Sequence, residues 1–414
     1  MDSGIPISYI FDASIDNQTR SLIRLSVDFW SNFTCIKFLE GGNIQPVVRF
    51  FQGQGCYSQL GKLIGYASQD ISIGQGCENF GVITHEIGHA LGVWHQQSRP
   101  DRDDSITVLL EKVDPSWRSQ YYKQFQTKSY GVGYDWGSVM HYTAYQNHGD
   151  VIVMLPTDQR YLHTMGNHYG PVFSDLLAVN SYYFCQAQCY TYKFLNCKNK
   201  GFQSSKNCNV CICPNGFGGV LCSERASGEG GAPHDCGETV QADTHYKVLS
   251  GSVSIETNKV ADRSAGCHYH IQAPEGKRIE IKILSISGVC SVDCCYGSLN
   301  VKIEDLTNVG IRLCCNSHIQ EIGTMVSAGN LAVLSHYSQL QNRHFSIQFK
   351  IYEKPEPTPY DTTTQSAVTS TAHPLATFGT INCRDTLKCM AYDIGKLCFS
   401  QNPILCPARD VYIF

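Results

Sequence analysis

The sequence predicts an α+β region over residues 1–186, a small disulfide-rich module over 187–223, a β-sandwich over 236–352 and a cysteine-rich tail over 383–414. Three observations carry this reading. In the first 186 residues, a strand-rich N-terminal half feeds a long helix, the mark of an α+β unit. The 21 cysteines are sparse before residue 185 and dense after it. Between 236 and 352, apolar and polar residues alternate in runs such as Ile279-Glu-Ile-Lys-Ile283 and Phe345-Ser-Ile-Gln-Phe-Lys-Ile351, as strands of a sandwich do.

In chain order, Ile7-Ser-Tyr-Ile-Phe-Asp12 reads as a strand. Residues 16–32 read as a helix, with Leu22, Ile23, Leu25, Phe29 and Trp30 as its apolar positions. Val47-Val-Arg-Phe-Phe51 is a second strand, and Ile71-Ser-Ile73, between Cys56 and Cys77, reads as an edge strand. A long helix follows. It carries His85-Glu-Ile-Gly-His-Ala-Leu-Gly-Val-Trp-His95.

That stretch holds the chemistry. With His85 at 0° and about 100° per residue, His89 falls at about 40° and Glu86 at about 100°. Phe80, Ile83, Ile87 and Leu91 fall at roughly 160–240°, an apolar stripe on the other side. Two imidazoles at i, i+4 reach one ion. Gly92 tolerates positive φ and ends the helix, so the chain turns back and brings in His95. Three neutral nitrogen ligands with an open position make a catalytic zinc site, one metal per chain. Glu86, next along the helix, is placed to take a proton from the water activated there. The bland alternative, a helix of solvated histidines, would be the default for a lone His-x-x-x-His pair, but five fixed positions, three of them His, argue against it.

After His95, the charges of Gln96-Gln-Ser-Arg-Pro-Asp-Arg-Asp103 either lock the turn through ion pairs or belong to a solvated loop. Tyr134-Asp-Trp-Gly-Ser-Val-Met-His-Tyr142 follows, and Met140 fits the methionine turn that lies beneath the metal in proteins with this motif. His141, His148, His163 and His168 have no ligand spacing and read as surface or packing residues.

The run HEIGHALGVWHQQSRPDRD together with YDWGSVMHY resembles the astacin family of zinc endopeptidases, within the metzincin class. The likeness covers about residues 5–185, including GCYSQLGK at 55–62, GQGCENFG at 74–81 and VNSYYFC at 179–185. By position the resemblance implies His85, His89 and His95 as ligands, Glu86 as general base and Met140 as the turn methionine. It implies Tyr142 as a further ligand at rest that swings away to stabilise the oxyanion. It also implies disulfides Cys35–Cys185 and Cys56–Cys77. The family usually has Glu directly after the third histidine, paired with a new N-terminal ammonium after propeptide removal. Gln96 stands there and carries no charge.

Cys189, Cys197, Cys208, Cys211, Cys213 and Cys222, with Gly216-Phe-Gly-Gly219 between the last two, resemble an EGF-like module. That resemblance implies Cys189–Cys208, Cys197–Cys211 and Cys213–Cys222. Its calcium-binding form has acidic residues before the first cysteine, where Gln186-Ala-Gln188 stands here. Residues 224–235 read as a flexible linker. Cys236-Gly, Cys267, Cys295-Tyr and the closing Phe-x-Ile-x-Phe resemble a CUB domain, with Cys236–Cys267 implied as its first bridge. Gly297 stands where calcium-binding CUB domains have Asp, so calcium is not expected. Cys290, Cys294, Cys295, Cys314 and Cys315 number five, so one stays out of the intrachain pairs. Residues 353–382 are a Pro/Thr/Ser-rich stalk by composition. The tail, with Cys383, Cys389, Cys398 and Cys406, resembles a partial nematode-type six-cysteine (ShK-like) module.

Cysteine density points to disulfides and a secreted, extracellular protein. Asn17-Gln-Thr19 and Asn32-Phe-Thr34 match the glycosylation pattern and agree with it. Met1-Asp-Ser-Gly-Ile-Pro shows no signal peptide, against that expectation. A net charge of −4 without a long basic run excludes nucleic acid as an expected partner. No run approaches the roughly 18 apolar residues of a membrane span. Two functions follow: an endopeptidase acting on protein or peptide substrates, or a non-catalytic matrix protein that binds extracellular partners through its EGF-like and CUB modules.

Overall fold

The computed structural model describes residues 4–146, 151–255 and 259–354. His148, the stalk from 355 and the tail cysteines lie outside the described residues.

The N-terminal region is built on a five-stranded sheet. Its strands are β1 (Ile7–Phe11), β2 (Phe38–Glu40), β3 (Val47–Phe51), β4 (Cys56–Ser58) and β5 (Ser68–Ile73), in the order β2-β1-β3-β5-β4. β2, β1, β3 and β5 run parallel, with Tyr9 opposite Val48 and Phe50 opposite Ile71. β4 closes the sheet antiparallel to β5. Ile71 and Ile73 are therefore internal rather than at an edge. The Cys56–Cys77 disulfide pins β4 along β5, and both isoleucines are buried.

Helix α1 (Asn17–Phe33) starts where the Asp16 carboxylate accepts the Thr19 N–H at 2.7 Å. It buries Leu22, Ile23, Val27, Phe29 and Trp30, a stripe of helical spacing. The Trp30 indole N–H donates to the Thr84 carbonyl at 3.1 Å and ties α1 to α2 (Phe80–Ala90). Asn17 and Asn32 are exposed at the two ends of α1.

α2 has 11 residues against 17 in α1, so the site helix is not the long one expected. Asn79 caps its start by accepting the Val82 N–H at 2.9 Å. Its end is a Schellman turn, with Gly92 at φ +89°, Gly92 N–H bonded to His89 O and Val93 N–H to Gly88 O. A side chain at that φ would be strained, and the stop after three turns follows.

The sandwich has strands β6 (Thr239–Gln241), β7 (Lys247–Val253), β8 (Ala265–Gln272), β9 (Ile279–Ser287), β10 (Gly297–Lys302), β11 (Ile311–Leu313), β12 (Thr324–Val326), β13 (Leu331–Ser338) and β14 (Arg343–Ile351). One sheet has the order β6-β8-β13-β10-β11 and the other β7-β14-β9-β12. Their facing sides bury Ile281, Leu299, Val301, Leu334, Phe345 and Ile347.

The outer face of the first sheet is not solvated. Every residue of β10 is buried, Ser298, Asn300 and Lys302 included, because the 159–170 segment of the N-terminal region covers that face. Thr164 Oγ1 donates to Gly310 O at 3.1 Å and accepts the Arg312 N–H at 3.1 Å. Tyr169 O–H donates to Cys294 O, and His163 stacks on His318 with centroids 3.6 Å apart.

Residues 189–222 hold disulfides Cys189–Cys208, Cys197–Cys211 and Cys213–Cys222 around two short ribbons. The 224–235 segment is held rather than flexible. Glu224–Arg225 pairs with Phe217–Gly218, and Glu229 exchanges two backbone bonds with Gly266. Cys35–Cys185 and Cys236–Cys267 are bonded, as are Cys290–Cys315 and Cys294–Cys314. Cys295 is buried, joins no disulfide among the described residues, and has its Sγ 3.5 Å from Ser291 Oγ.

Candidate metal centre

One donor atom from each of His85, His89 and His95 falls within 4.8 Å of the other two. Helical spacing places His85 and His89 on one face of α2, and the Gly92 turn delivers His95. His89 Nε2 and His95 Nε2 are 3.0 Å apart. The Nδ1 atoms are engaged elsewhere: His85 with Val139 O at 2.7 Å and His89 with Val93 O at 2.8 Å. A carbonyl only accepts, so in both rings Nδ1 carries the proton and Nε2 keeps the lone pair that a metal needs.

Burial sets the electrostatics. It pushes the His85 imidazole down to about 4, and burial together with the neighbouring His85 takes His89 to about 3. His95 is held well below the usual histidine range for the same reasons. All three are therefore neutral at physiological pH. Glu86 is fully buried beside them, and burial raises its carboxyl well above the usual range. Neither of its oxygens has a hydrogen-bond partner among the described residues. A carboxylate buried and left unbonded is costly, which fits a group meant to meet a cation or a bound water. The donor set, neutral nitrogens alone, suits zinc. A second cluster, Cys294, Cys314 and His318, offers no thiolate because its two sulfurs form one disulfide.

The 135–140 turn lies under the helix. Met140 is buried, and a Cβ added to Gly88 would stand 2.8 Å from its sulfur, so glycine there allows the close approach. Met140 O accepts the Gln96 N–H at 2.8 Å. The Tyr142 ring packs 4.4 Å from that of His95, and the Tyr142 N–H donates to Gln97 Oε1 at 3.1 Å.

Two residues that sequence reasoning missed position this turn. Gln97 is wholly buried. Asp175, in the first turn of α3 (Phe173–Tyr182), accepts from Ser138 O–H at 2.6 Å and from the N–H groups of Val139 and Val172 at 2.9 Å each. Burial pushes Asp175 up to about 6 against the pull of those bonds. An acid in the first turn of a helix is a readable capping signal, but its reach to Ser138 is not.

The 96–103 charges, open from sequence, lock the turn. Arg99 pairs with Asp101 at 2.8 Å and donates to the carbonyls of Val132 and Gly133. Arg102 pairs with Asp103 at 3.0 Å and donates to the carbonyls of Gln97 and Tyr121. His141, His163 and His168 lie outside the cluster. His141 is buried against Tyr134 O–H, His163 packs on His318, and His168 faces Asp293.

Three neutral imidazoles on a helix and its return turn, with a buried carboxylate beside them, make a candidate metal site. Comparison with known proteins narrows the class. The sequence model of the astacin peptidase family matches residues 3–184. Zinc metalloproteinase nas-31 of Caenorhabditis elegans is 35% identical over 318 residues, 76% of this chain and 50% of that one. Zinc metalloproteinase nas-27 of the same organism is 31% identical over 359 residues, 84% of each chain. Among solved structures, high choriolytic enzyme 1, a hatching enzyme zinc-protease from Oryzias latipes, is 27% identical. It covers 44% of this chain and 90% of that chain with a TM-score of 0.41. The chain belongs to the astacin family of zinc metalloendopeptidases. It spans half the length of nas-31.

Proposed function

We propose that this chain is a secreted endopeptidase that hydrolyses peptide bonds of extracellular proteins at one zinc held by His85, His89 and His95. The observation that carries the proposal is Glu86, a wholly buried carboxylate with no hydrogen-bond partner among the described residues, next to three imidazoles kept neutral by burial. Zinc, when bound, supplies Lewis acidity for the water and for the scissile carbonyl. Glu86 takes the proton of the attacking water; its raised pKa suits it to hold that proton and return it to the leaving amine. Tyr142, beside His95, donates its hydroxyl proton to the developing oxyanion. Val139 O and Val93 O hold two imidazoles in the required tautomer, and Asp175 holds the turn that carries Val139.

Residues 187–223 and 236–352 serve in this reading as EGF-like and CUB modules that engage extracellular proteins. Their disulfides support an oxidising compartment. Calcium plays no part. Arg343 Cδ lies 2.5 Å from where Gly297 would carry a Cβ, so a side chain there meets a cation's stem rather than an open ion site. The test is cleavage of a denatured protein substrate by purified chain. Activity abolished by a chelator and restored by zinc supports the proposal. Cleavage indifferent to chelation, or none by zinc-loaded protein, overturns it.

A further inference from the structure

A cavity of about 80 Å³ lies where the 167–172 segment, the disulfide-rich module and the sandwich meet. Two of its lining residues are wholly buried cations, Lys302 on β10 and Arg312 on β11, each 1% exposed. The Arg312 guanidinium stacks on the Tyr169 ring at 4.9 Å. It makes no hydrogen bond or ion pair with any described residue, and its Nε is buried without a partner. Lys302 Nζ donates to Asn215 O at 2.8 Å and Leu306 O at 3.2 Å, which leaves one of its three N–H bonds. Burial pushes this ammonium down to about 8, so it still carries its charge at neutral pH. Asn300, also in the wall, accepts from Ser298 O–H at 2.8 Å through Oδ1, which leaves its amide hydrogens as donors.

Among the described residues no acid forms a hydrogen bond or ion pair with these donors, although the buried Asp135 carboxylate offsets part of the charge of both cations and Asp305 part of that of Lys302. Asp135 is buried nearby, but its oxygens accept from Gly137 N–H, Ser174 O–H and Val309 N–H. Asp305 is engaged by Thr307 and Lys200. Glu229 and Arg263 also line the cavity; Glu229 faces His268 at 3.4 Å and offsets the charge of Arg263, which leaves Lys302 and Arg312 as the donors without an ion-pair partner among the described residues. A buried guanidinium without an acceptor is among the costliest groups a fold can contain, and its planar fork matches the edge of an oxyanion. The volume takes several waters or one compact anion.

We infer that this cavity binds a tetrahedral oxyanion of the sulfate or phosphate class, held by Arg312, Lys302 and Asn300, and that the anion joins the sandwich to the N-terminal region. The site is separate from the zinc centre and does not depend on catalysis.

The test is a titration of the full zinc-loaded chain with sodium sulfate, sodium phosphate and sodium acetate at matched ionic strength, followed by calorimetry and thermal unfolding. Sulfate and phosphate should bind saturably and raise Tm by about 1–2 °C at ten times the dissociation constant. Arg312→Met should lose the saturable part and keep only the linear rise that sulfate gives any protein. An equal saturable rise in that variant overturns the assignment. So does tighter binding of acetate, or the absence of saturation in the wild-type chain, which would mean that the cavity holds water only. If Arg312→Met fails to fold, Lys302→Met replaces it, and the wild-type titration decides by itself.

Discussion

His318 makes the stability of this chain depend on pH in a window that can be calculated. Its ring is buried under that of His163 at 3.6 Å, and burial, with His163 next, pushes it down to about 3. In the unfolded chain the same imidazole titrates at about 6.5. Between these values the unfolded state binds the proton and the folded state does not. Stability is therefore fully present above about pH 6.5 and falls as pH falls toward 3. From pH 7.5 to pH 5.0 the loss from this residue alone is about 2 kcal/mol, from RT ln of the ratio of unfolded-state binding terms. Other buried histidines add their own losses, so the informative quantity is a difference. His318→Phe keeps a flat ring against His163 and removes the titration. Urea unfolding of both proteins with disulfides intact, at pH 7.5 and 5.0, should show the variant losing about 2 kcal/mol less than wild type over that interval. Equal losses would refute the reasoning and mean that His318 charges readily in the folded state.

Three further outcomes are expected. Gly81→Ala should cost about 1–3 kcal/mol despite the better helix propensity of alanine, because the new Cβ would lie 2.2 Å from the His168 carbonyl oxygen; Gly133→Ala, in open space, should be within about 0.5 kcal/mol of wild type, and a stabilised Gly81→Ala would contradict the packing. Mass mapping should find Cys35 joined to Cys185, a link across 150 residues worth about 4–5 kcal/mol in the chain-entropy model, and free thiols at both would remove it. Tyr142→Phe should retain zinc while kcat falls by about 10²–10³ with little change in KM; an unchanged kcat would remove its role at the oxyanion.

What could be read from the chain, and what could not, divides by range. Helix α1 and the histidine helix announce themselves through local periodicity and caps, and Gly92 marks the turn that brings His95 home. The sandwich strands show in their alternation. The burial of their polar side does not: Ser298, Asn300 and Lys302 alternate with Leu299 and Val301 as on a half-exposed strand, yet the N-terminal region covers them. The order of β5 in the sheet depends on pairing with β4, which no window around Ile71 contains. Gln97 and Asp175 were invisible for the same reason, since their partners lie 45 and 36–37 residues away. The 224–235 stretch has a linker's composition, but its backbone groups find partners on β8 and on 217–218.

The most direct test of the central claim is Glu86→Gln in the purified zinc-loaded chain. Glutamine keeps the shape and fills the same buried space but takes no proton. Metal analysis should find one zinc per chain, the unfolding midpoint should stay within a few degrees of wild type, and kcat on a denatured protein substrate should fall by at least about 10²–10⁴. A variant that holds its zinc and still turns over at the wild-type rate would contradict the assignment of Glu86 as the general base, and with it the mechanism built on this site.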